Sequence, residues 1–375
     1  MTYLLLTWLL APWVALRGLL SHSTQHPQRI LLIQTAKIGD YICTTPIIRA
    51  LRNHYPDAHL SVMVNSITEA LARNQPGVDQ VVLSNAVKGL SGRWKLYRQL
   101  RSQRFDTVIC ISPNQAFLLL PYLAGIERRA SVLPNFNGRS YRHAARFLTA
   151  SETHQQGRMM VETGMALIAQ LGVTTHLPEK EIRAAPGATD RIYKYLPKEI
   201  PTPIIGVGVS SGNKLKELGS QRLTDLTKEI LASGRCGKIL LIGDRSDRLQ
   251  AAKIQASVGS PLVLDVTGKI PLEDLPALIK RLSLYIGVDS GITYMADALN
   301  VPVVDIIGPA DPEDQRPTGK GAQVIRAELT CAPCSHAFHA PYACAIGTRE
   351  CVTGTNMRDI ASVALEITEN EARGI

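Results

Sequence analysis

Four short stretches of this chain gather residue types able to do chemistry. In QTAKIGDYICTT (34–45), Asp40 stands where a strand pattern gives way to a helix. By position alone, the commoner use of an aspartate there is to cap the helix. The other use is to take a proton from a hydroxyl nucleophile. VGVSSGNKLKELGSQRL (207–223) offers Ser210, Ser211 and Gly212 as a small, bendable backbone with hydroxyl donors. Lys214 and Lys216 follow, and a helix begins near Ser220. That combination suits a phosphate cradle, and equally an ordinary solvated loop. YIGVDSGITYMADAL (285–299) ends a strand in Asp289, Ser290 and Gly291 and starts a helix at once. Free backbone N–H groups there, with the Ser290 hydroxyl, suit a diphosphate; in the plainer reading Asp289 or Ser290 only caps the helix. A further turn, Gly308-Pro309-Ala310-Asp311-Pro312, closes the next strand. Two such loops on neighbouring strand ends strengthen the ligand reading.

The fourth stretch is CAPCSHAFHAPYACAIGTREC (331–351). Cys331, Cys334, Cys344 and Cys351 follow the spacing C-x2-C, x9, C-x6-C. Four thiolates so spaced can close a tetrahedral zinc or iron site, with His336 and His339 as spare ligands. Free thiols or local disulfides are the alternatives. Seven cysteines in 375 residues are too few for a disulfide scaffold, so the clustering matters more than the count. Neither G-x-G-x-x-G nor the P-loop pattern G-x-x-x-x-G-K-[ST] is present, so neither fingerprint is supported.

These residues need strand ends to hold them. From Arg29 onward, short β-rich runs alternate with helical stretches. Strands are expected at 29–34, 59–64, 80–84, 106–112 and 131–134, with helices at 41–54, 92–103 and 156–171. Residues 135–151 read as a basic, irregular loop. A polar, Pro- and Gly-rich stretch marks a linker between about 173 and 200. Beyond it strands are expected at 204–210, 238–244, 261–266, 284–289 and 301–308. The helices between them are expected at 221–233, 246–257, 272–282 and 291–299, and a last one at 357–369. The rhythm predicts an α/β chain of two Rossmann-like domains facing across a cleft, with ligands at the carboxyl ends of the strands. The domains are drawn as 29–180 and 200–356, the latter containing the Cys-rich loop, followed by a C-terminal helix in 357–375.

Residues 1–28 form a separate apolar segment. It carries no charge before Arg17, holds Trp8 and Trp13, and is interrupted by Pro12. The uncharged run of 16 residues is short of a bilayer span. It lacks the positive start of a secretory signal. A helix in the membrane interface is expected, with a helix packed on the protein's own surface or an uncleaved span as alternatives. The net charge of +9 favours an anionic partner. Aromatic residues make up 5% and do not interleave with basic ones, which argues against nucleic acid.

Taken together, these stretches resemble glycosyltransferase family 9, the ADP-heptose:lipopolysaccharide heptosyltransferases. The resemblance runs over roughly 29–370. It is carried by ILLIQTAKIGDYICTTPIIRALR, THQQGRMMVETGMALIAQLG, KELGSQRLTDL, LLIGD, VTGKIPLEDLPALI and the GVDSG…MADAL…VPVVDIIGP block. It implies a GT-B fold, with acceptor held mainly by the first half and nucleotide-sugar by the second. It makes Asp40 the general base, Lys216 the phosphate-binding lysine, and Asp289, Ser290 and Gly291 the donor turn. It also implies inversion at the anomeric carbon by a single displacement. Two positions depart from the family pattern. Tyr294 replaces a usual histidine, and Leu218-Gly219 replaces a Trp-Pro pair; Tyr294 retains a hydroxyl able to donate. Related autotransporter heptosyltransferases carry an iron-holding cysteine finger, which the Cys-rich loop resembles.

The expected activity is therefore transfer of a heptose or related sugar from a nucleotide diphosphate donor, ADP-heptose foremost, to an anionic glycolipid such as lipopolysaccharide or another surface glycan. Ser210, Ser211, Gly212, Lys216, Asp289, Ser290, Gly291 and Tyr294 are expected at the donor. Lys37 and the basic residues Arg128, Arg129, Arg139 and Arg142 are expected at the acceptor. Catalysis would need no cofactor, and the place of work would be the cytoplasmic face of the inner membrane. The rival readings are a membrane-associated GT-B scaffold with a degenerate donor site, and a sugar-nucleotide epimerase.

Overall fold

In the computed structural model the chain folds as two units, Met1–Glu179 and Lys180–Ile375. The described residues are Trp8, Leu9, Pro12, 26–84, 89–135 and 138–373. Each unit is built on a six-stranded, wholly parallel sheet.

The first sheet has the order β3-β2-β1-β4-β5-β6. Its strands are β1 (Arg29–Ile33), β2 (His59–Val64), β3 (Gln80–Leu83), β4 (Thr107–Cys110), β5 (Arg128–Leu133) and β6 (Ala150–Thr153). Strands such as RILLI are buried almost throughout because helices cover both faces of a parallel sheet. Those helices are α1 (Ile38–His54), α2 (Glu69–Ala72), α3 (Gly89–Ser102), α4 (Gln115–Leu123), α5 (Arg139–Ala145) and α6 (Met160–Ala169).

The second sheet, β12-β11-β10-β7-β8-β9, repeats that order when its strands are counted from its own start. It comprises β7 (Ile204–Gly208), β8 (Lys238–Ile242), β9 (Val263–Asp265), β10 (Leu284–Val288), β11 (Val303–Ile307) and β12 (Ala322–Arg326). Its helices are α7 (Ala188–Ile192), α8 (Ser220–Ala232), α9 (Arg248–Val258), α10 (Leu275–Ile279), α11 (Gly291–Ala298), α12 (Glu350–Thr353) and α13 (Met357–Arg373). The last helix is part of this unit's core, through Met357, Ile360, Ala361, Ala364 and Leu365.

In both sheets the strand order reverses between the first and fourth strands, β1 and β4 or β7 and β10. A crevice opens at the carboxyl ends of strands at such a reversal. The Tyr285 ring lies flat against neighbouring strands of the second sheet. A Cβ at Gly208 would strike the Tyr285 hydroxyl, and one at Gly287 would meet its ring. Glycine is required there by close approach.

The structure corrects several local expectations. The segment 135–151 is not irregular throughout, because it contains α5 and the start of β6. Charged residues mask the short period of α5, in which Ala144 is buried. Helix α4 escaped notice because NQAFLLLPYL is apolar on nearly all sides, with Ala116–Pro121 buried, and so shows no amphipathic stripe. The side chain of Asn114 caps it by accepting the Phe117 N–H at 3.0 Å. Most of the apolar segment 1–28 lies outside the described residues. Of those described there, Trp8 meets the edge of Phe147 at 5.4 Å and lies under the Arg146 guanidinium. Among the described residues no helix is long and apolar enough to cross a membrane.

Candidate active site

In the first unit the turn between β1 and α1 is braced from three strand ends. The Thr35 N–H donates to the Ser112 hydroxyl beyond β4, at 2.7 Å. The Asn65 amide beyond β2 donates to the carbonyls of Thr35 and Ala36 at 3.0 and 2.6 Å. The Gln34 amide donates to the Thr44 hydroxyl at 2.8 Å and accepts the Ala36 N–H. Helix α1 starts at Ile38, earlier than its apolar period suggests, and Lys37 holds the cap position. Asp40 is therefore not the N-cap residue itself, but it does cap the helix as the N3 partner of a capping box. It sits in the first turn, where its carboxylate accepts the Lys37 N–H at 3.0 Å. It remains half-exposed, and Lys37 is exposed beside it.

The expected acceptor arginines separate. In the parallel register Arg128 aligns with Thr107, which aligns with Ile30. Arg128 and Arg129 thus begin their strand, at the edge of the sheet opposite the Asp40 turn. Arg129 is also occupied: its guanidinium donates to the carbonyls of Ile126, Glu127 and Phe147 and packs over the Tyr122 ring. It is a strut of the loops around β5, not an acceptor ligand. Arg139 and Arg142 lie in α5, which follows the carboxyl end of β5, and the Tyr141 hydroxyl ties that helix to Pro113 beyond β4. They remain on the Asp40 edge, with Arg142 exposed.

In the second unit the expected donor residues converge. Beyond β7, the Ser210 hydroxyl donates to Asp247 at 2.5 Å, and Asp247 also accepts the Asp244 N–H at the end of β8. The Ser211 hydroxyl reaches the Asp289 carbonyl at 3.5 Å. Gly212 precedes Asn213, whose side chain accepts the Leu215 N–H at 3.1 Å and shapes the turn Lys214–Lys216. That turn aims Lys216 at Asp289, and the two form a partly buried ion pair. Tyr294, buried in α11, donates its hydroxyl to the other Asp289 oxygen at 2.6 Å. Tyr294 is thus not mere packing, since it completes the hold on a carboxylate. Ser290 occupies the cap position of α11, but its hydroxyl turns to Thr293 at 3.1 Å. The backbone N–H groups that open at Gly291 are left for another acceptor.

Several polar residues here went unnoticed in the sequence. Asp305, in the middle of β11, is fully buried, and neither carboxylate oxygen has a hydrogen-bond partner. Burial, with the negative charge of Asp289 next, pushes its carboxyl well above the usual range. Its sequence signal was one aspartate inside the apolar run VPVVDIIG. Lys180 lies in what read as linker, yet it forms a buried pair with Asp297 at 2.7 Å.

The Cys-rich loop holds four free thiols: Cys331 and Cys334 are exposed, Cys344 is half-buried and Cys351 is buried. Burial and then the neighbouring thiols push Cys334 and Cys351 up. The Arg349 N–H, with those of Ile346, Gly347 and Thr348, holds the Cys344 thiol below its ordinary value. His336 is not among them. Its Nδ1 lies 3.0 Å from Asp311 and 3.7 Å from Asp314. The loop is tied to the lysine turn. The Asn213 amide donates to the Pro341 carbonyl at 2.9 Å, and Arg349 donates to the carbonyls of Leu215 and Glu217 at 3.1 and 2.5 Å.

Comparison with known proteins adds to this geometry. The model of "Glycosyltransferase family 9 (heptosyltransferase)" matches residues 93–341. Lipopolysaccharide heptosyltransferase 2 of Escherichia coli K12 is 24% identical over 317 residues, covering 80% of this chain and 88% of that one. The solved E. coli ADP-heptose lipopolysaccharide heptosyltransferase II superposes with a TM-score of 0.73 at 20% identity, over 92% of this chain and all of that one. The dodecameric iron-containing heptosyltransferase TibC, solved in complex with ADP-D-beta-D-heptose, gives a TM-score of 0.59 at 13% identity, over 93% of this chain and 78% of that one.

Proposed function

This chain belongs to glycosyltransferase family 9, and from that premise we propose that it transfers a heptose from ADP-heptose to a lipopolysaccharide acceptor. The observation that carries the donor half is the meeting of Ser211, Lys216, Asp289 and Tyr294 at the carboxyl ends of β7 and β10, beside the open start of α11. A lysine beside unsatisfied helix N–H groups suits a diphosphate, and both stabilise the charge that grows on the departing nucleotide diphosphate. Asp40 takes the proton of the acceptor hydroxyl as its oxygen bonds to the anomeric carbon. The bond from that carbon to the distal phosphate oxygen breaks, ADP leaves, and the anomeric configuration inverts. Lys216 and the backbone amides serve the phosphates without a cofactor. Lys37, Arg139 and Arg142 suit the anionic side of the acceptor.

The Cys-rich loop carries the donor set for a structural zinc or iron ion in Cys331, Cys334, Cys344 and Cys351. Among the described residues, the ligand atoms that gather within 4.8 Å are those of Asp311, Asp314 and His336, so an ion would have to draw the four sulfurs together. The support is the donor set and the backbone N–H groups gathered around Cys344, which favour a thiolate. Such an ion orders a loop of little apolar content. A lipid-borne acceptor also places the work at the cytoplasmic face of the inner membrane.

The test is turnover. Purified protein should release ADP from ADP-heptose only when a lipopolysaccharide core acceptor is present. Binding without turnover across ADP-, GDP- and UDP-sugars would support a scaffold instead, and conversion without acceptor an epimerase. Elemental analysis of untagged protein should find about one zinc or iron per chain. Metal-free protein with four titrating thiols and unchanged melting would remove the metal reading.

A further inference from the structure

Helix α3 has one buried stripe and one stripe that leaves large apolar side chains exposed. Leu96 and Leu100, four residues apart, are buried and join Phe105, Phe117 and Leu120 in the core of the first unit. On the outer side Leu90, Trp94 and Arg101 recur at helical spacing, with Tyr97 at their border, partly buried against the core. Leu90 is 77% exposed and Trp94 is 60% exposed. The Trp94 ring stacks on Tyr97 at 5.2 Å, and Arg101 donates to the Tyr97 hydroxyl at 2.9 Å. The helix carries Arg93, Lys95, Arg98 and Arg101 and no aspartate or glutamate, and Arg104 follows it. Lys95, Arg98, Arg101 and Arg104 are all exposed.

Apolar area of this size left in water weakens a fold, so its retention at a surface points to a partner. The chemistry of the stripe selects one. An indole prefers the boundary between headgroup and acyl chain. Clustered lysine and arginine on an amphipathic helix are attracted to anionic lipid near the surface. A protein partner would have to match four cations without a single acid among them. A bilayer rich in phosphate headgroups does so by composition.

We propose that α3 is a membrane-docking helix, which lies on an anionic bilayer with Leu90 and Trp94 at acyl-boundary depth and its cations against lipid phosphates. The proposal deepens the membrane-surface reading above and rests on it for the presence of a bilayer. It does not rest on the sugar-transfer chemistry. It assigns docking to an element distinct from residues 1–28.

The test uses the full chain carrying Trp8→Phe and Trp13→Phe, which leaves Trp94 as the sole indole of the three. With phosphatidylglycerol-rich vesicles its emission should shift to the blue and be quenched by brominated lipid, and high salt should weaken the binding. Leu90→Ser with Trp94→Ser in the wild-type chain should lower vesicle partitioning about tenfold or more. Arg98→Glu with Arg101→Glu should abolish the preference over phosphatidylcholine. Bound protein whose Trp94 stays in water would overturn the proposal. So would undiminished partitioning of the serine variant, or loss of binding in the Trp8/Trp13 chain, which would give docking to the N-terminal segment. A dimer of the wild type that the serine variant breaks would assign the stripe to a second copy instead. Transfer to a soluble, deacylated acceptor should be equal in wild type and serine variant. A chain inactive on every acceptor yet inserting Trp94 would sink the sugar-transfer reading and leave the docking intact.

Discussion

Two carboxylates stand at the order reversals of the two sheets, Asp40 after the first strand of its sheet and Asp289 after the fourth strand of the other, each where a strand hands over to a helix. Asp40 lies in the first turn of its helix, half-exposed, with the backbone N–H of Lys37 on one oxygen. Asp289 lies just before its helix and is gripped by an ammonium and a phenol hydroxyl. An aspartate held by a lysine and a tyrosine is fixed in place and positions its neighbours. Asp40, by contrast, is half-exposed, with the Lys37 N–H on one oxygen. A strand–turn–helix element thus holds a half-exposed carboxylate in one unit and a doubly gripped one in the other, and the difference lies in what the adjoining turn sends across.

The strongest way to break this contrast is to neutralise each carboxylate. Asp40→Asn should lower kcat by about 10²–10⁴-fold, the usual worth of a general base, with donor affinity nearly unchanged. Titration calorimetry showing lost donor binding, with turnover per bound donor intact, would make Asp40 structural. Lys216→Ala should act on the other side, raising donor KM by about 10- to 100-fold through loss of a charge-assisted contact. An unchanged KM would remove the lysine from the donor site. Tyr294→Phe should cost less, about tenfold or under, as expected for one hydrogen bond. If Lys216 and Tyr294 act through the shared carboxylate, the double variant will fall short of the product of the singles. Strict additivity would separate them.

The smallest effect concerns Asp305. Its carboxyl is raised by burial, so the native chain keeps a proton that the unfolded chain releases above the ordinary carboxylate range, about pH 4. The unfolded state then binds fewer protons, and stability falls as pH rises. Asp305→Asn cannot ionise, so it should melt higher than wild type at pH 8 and by a smaller margin near pH 5. Parallel melting curves at both pH values would show that Asp305 does not titrate between the states.

The repeating fold was legible because buried parallel strands write themselves as short apolar runs, as in RILLI and KILLI. The donor cluster was legible in its members, since Lys216 and Asp289 sit in turns that read as strand ends. Their partnership was not, because 72 residues separate them in the chain and only the parallel register brings β7 beside β10. Arg128 and Arg129 misled for the same reason. Their charge was visible, but not that they begin a strand whose far end faces the site. Lys180 was read as linker because a lysine between prolines and glutamates looks solvated until its buried aspartate partner is in place.

Arg349 lies near the end of the Cys-rich loop with a left-handed φ of +55°, and its guanidinium fastens the carbonyls on either side of Lys216. The turn that carries Lys216 is therefore fastened to the same loop that carries four thiols. Oxidation of those thiols should be felt at the Lys216 turn through Arg349, as a change in donor affinity.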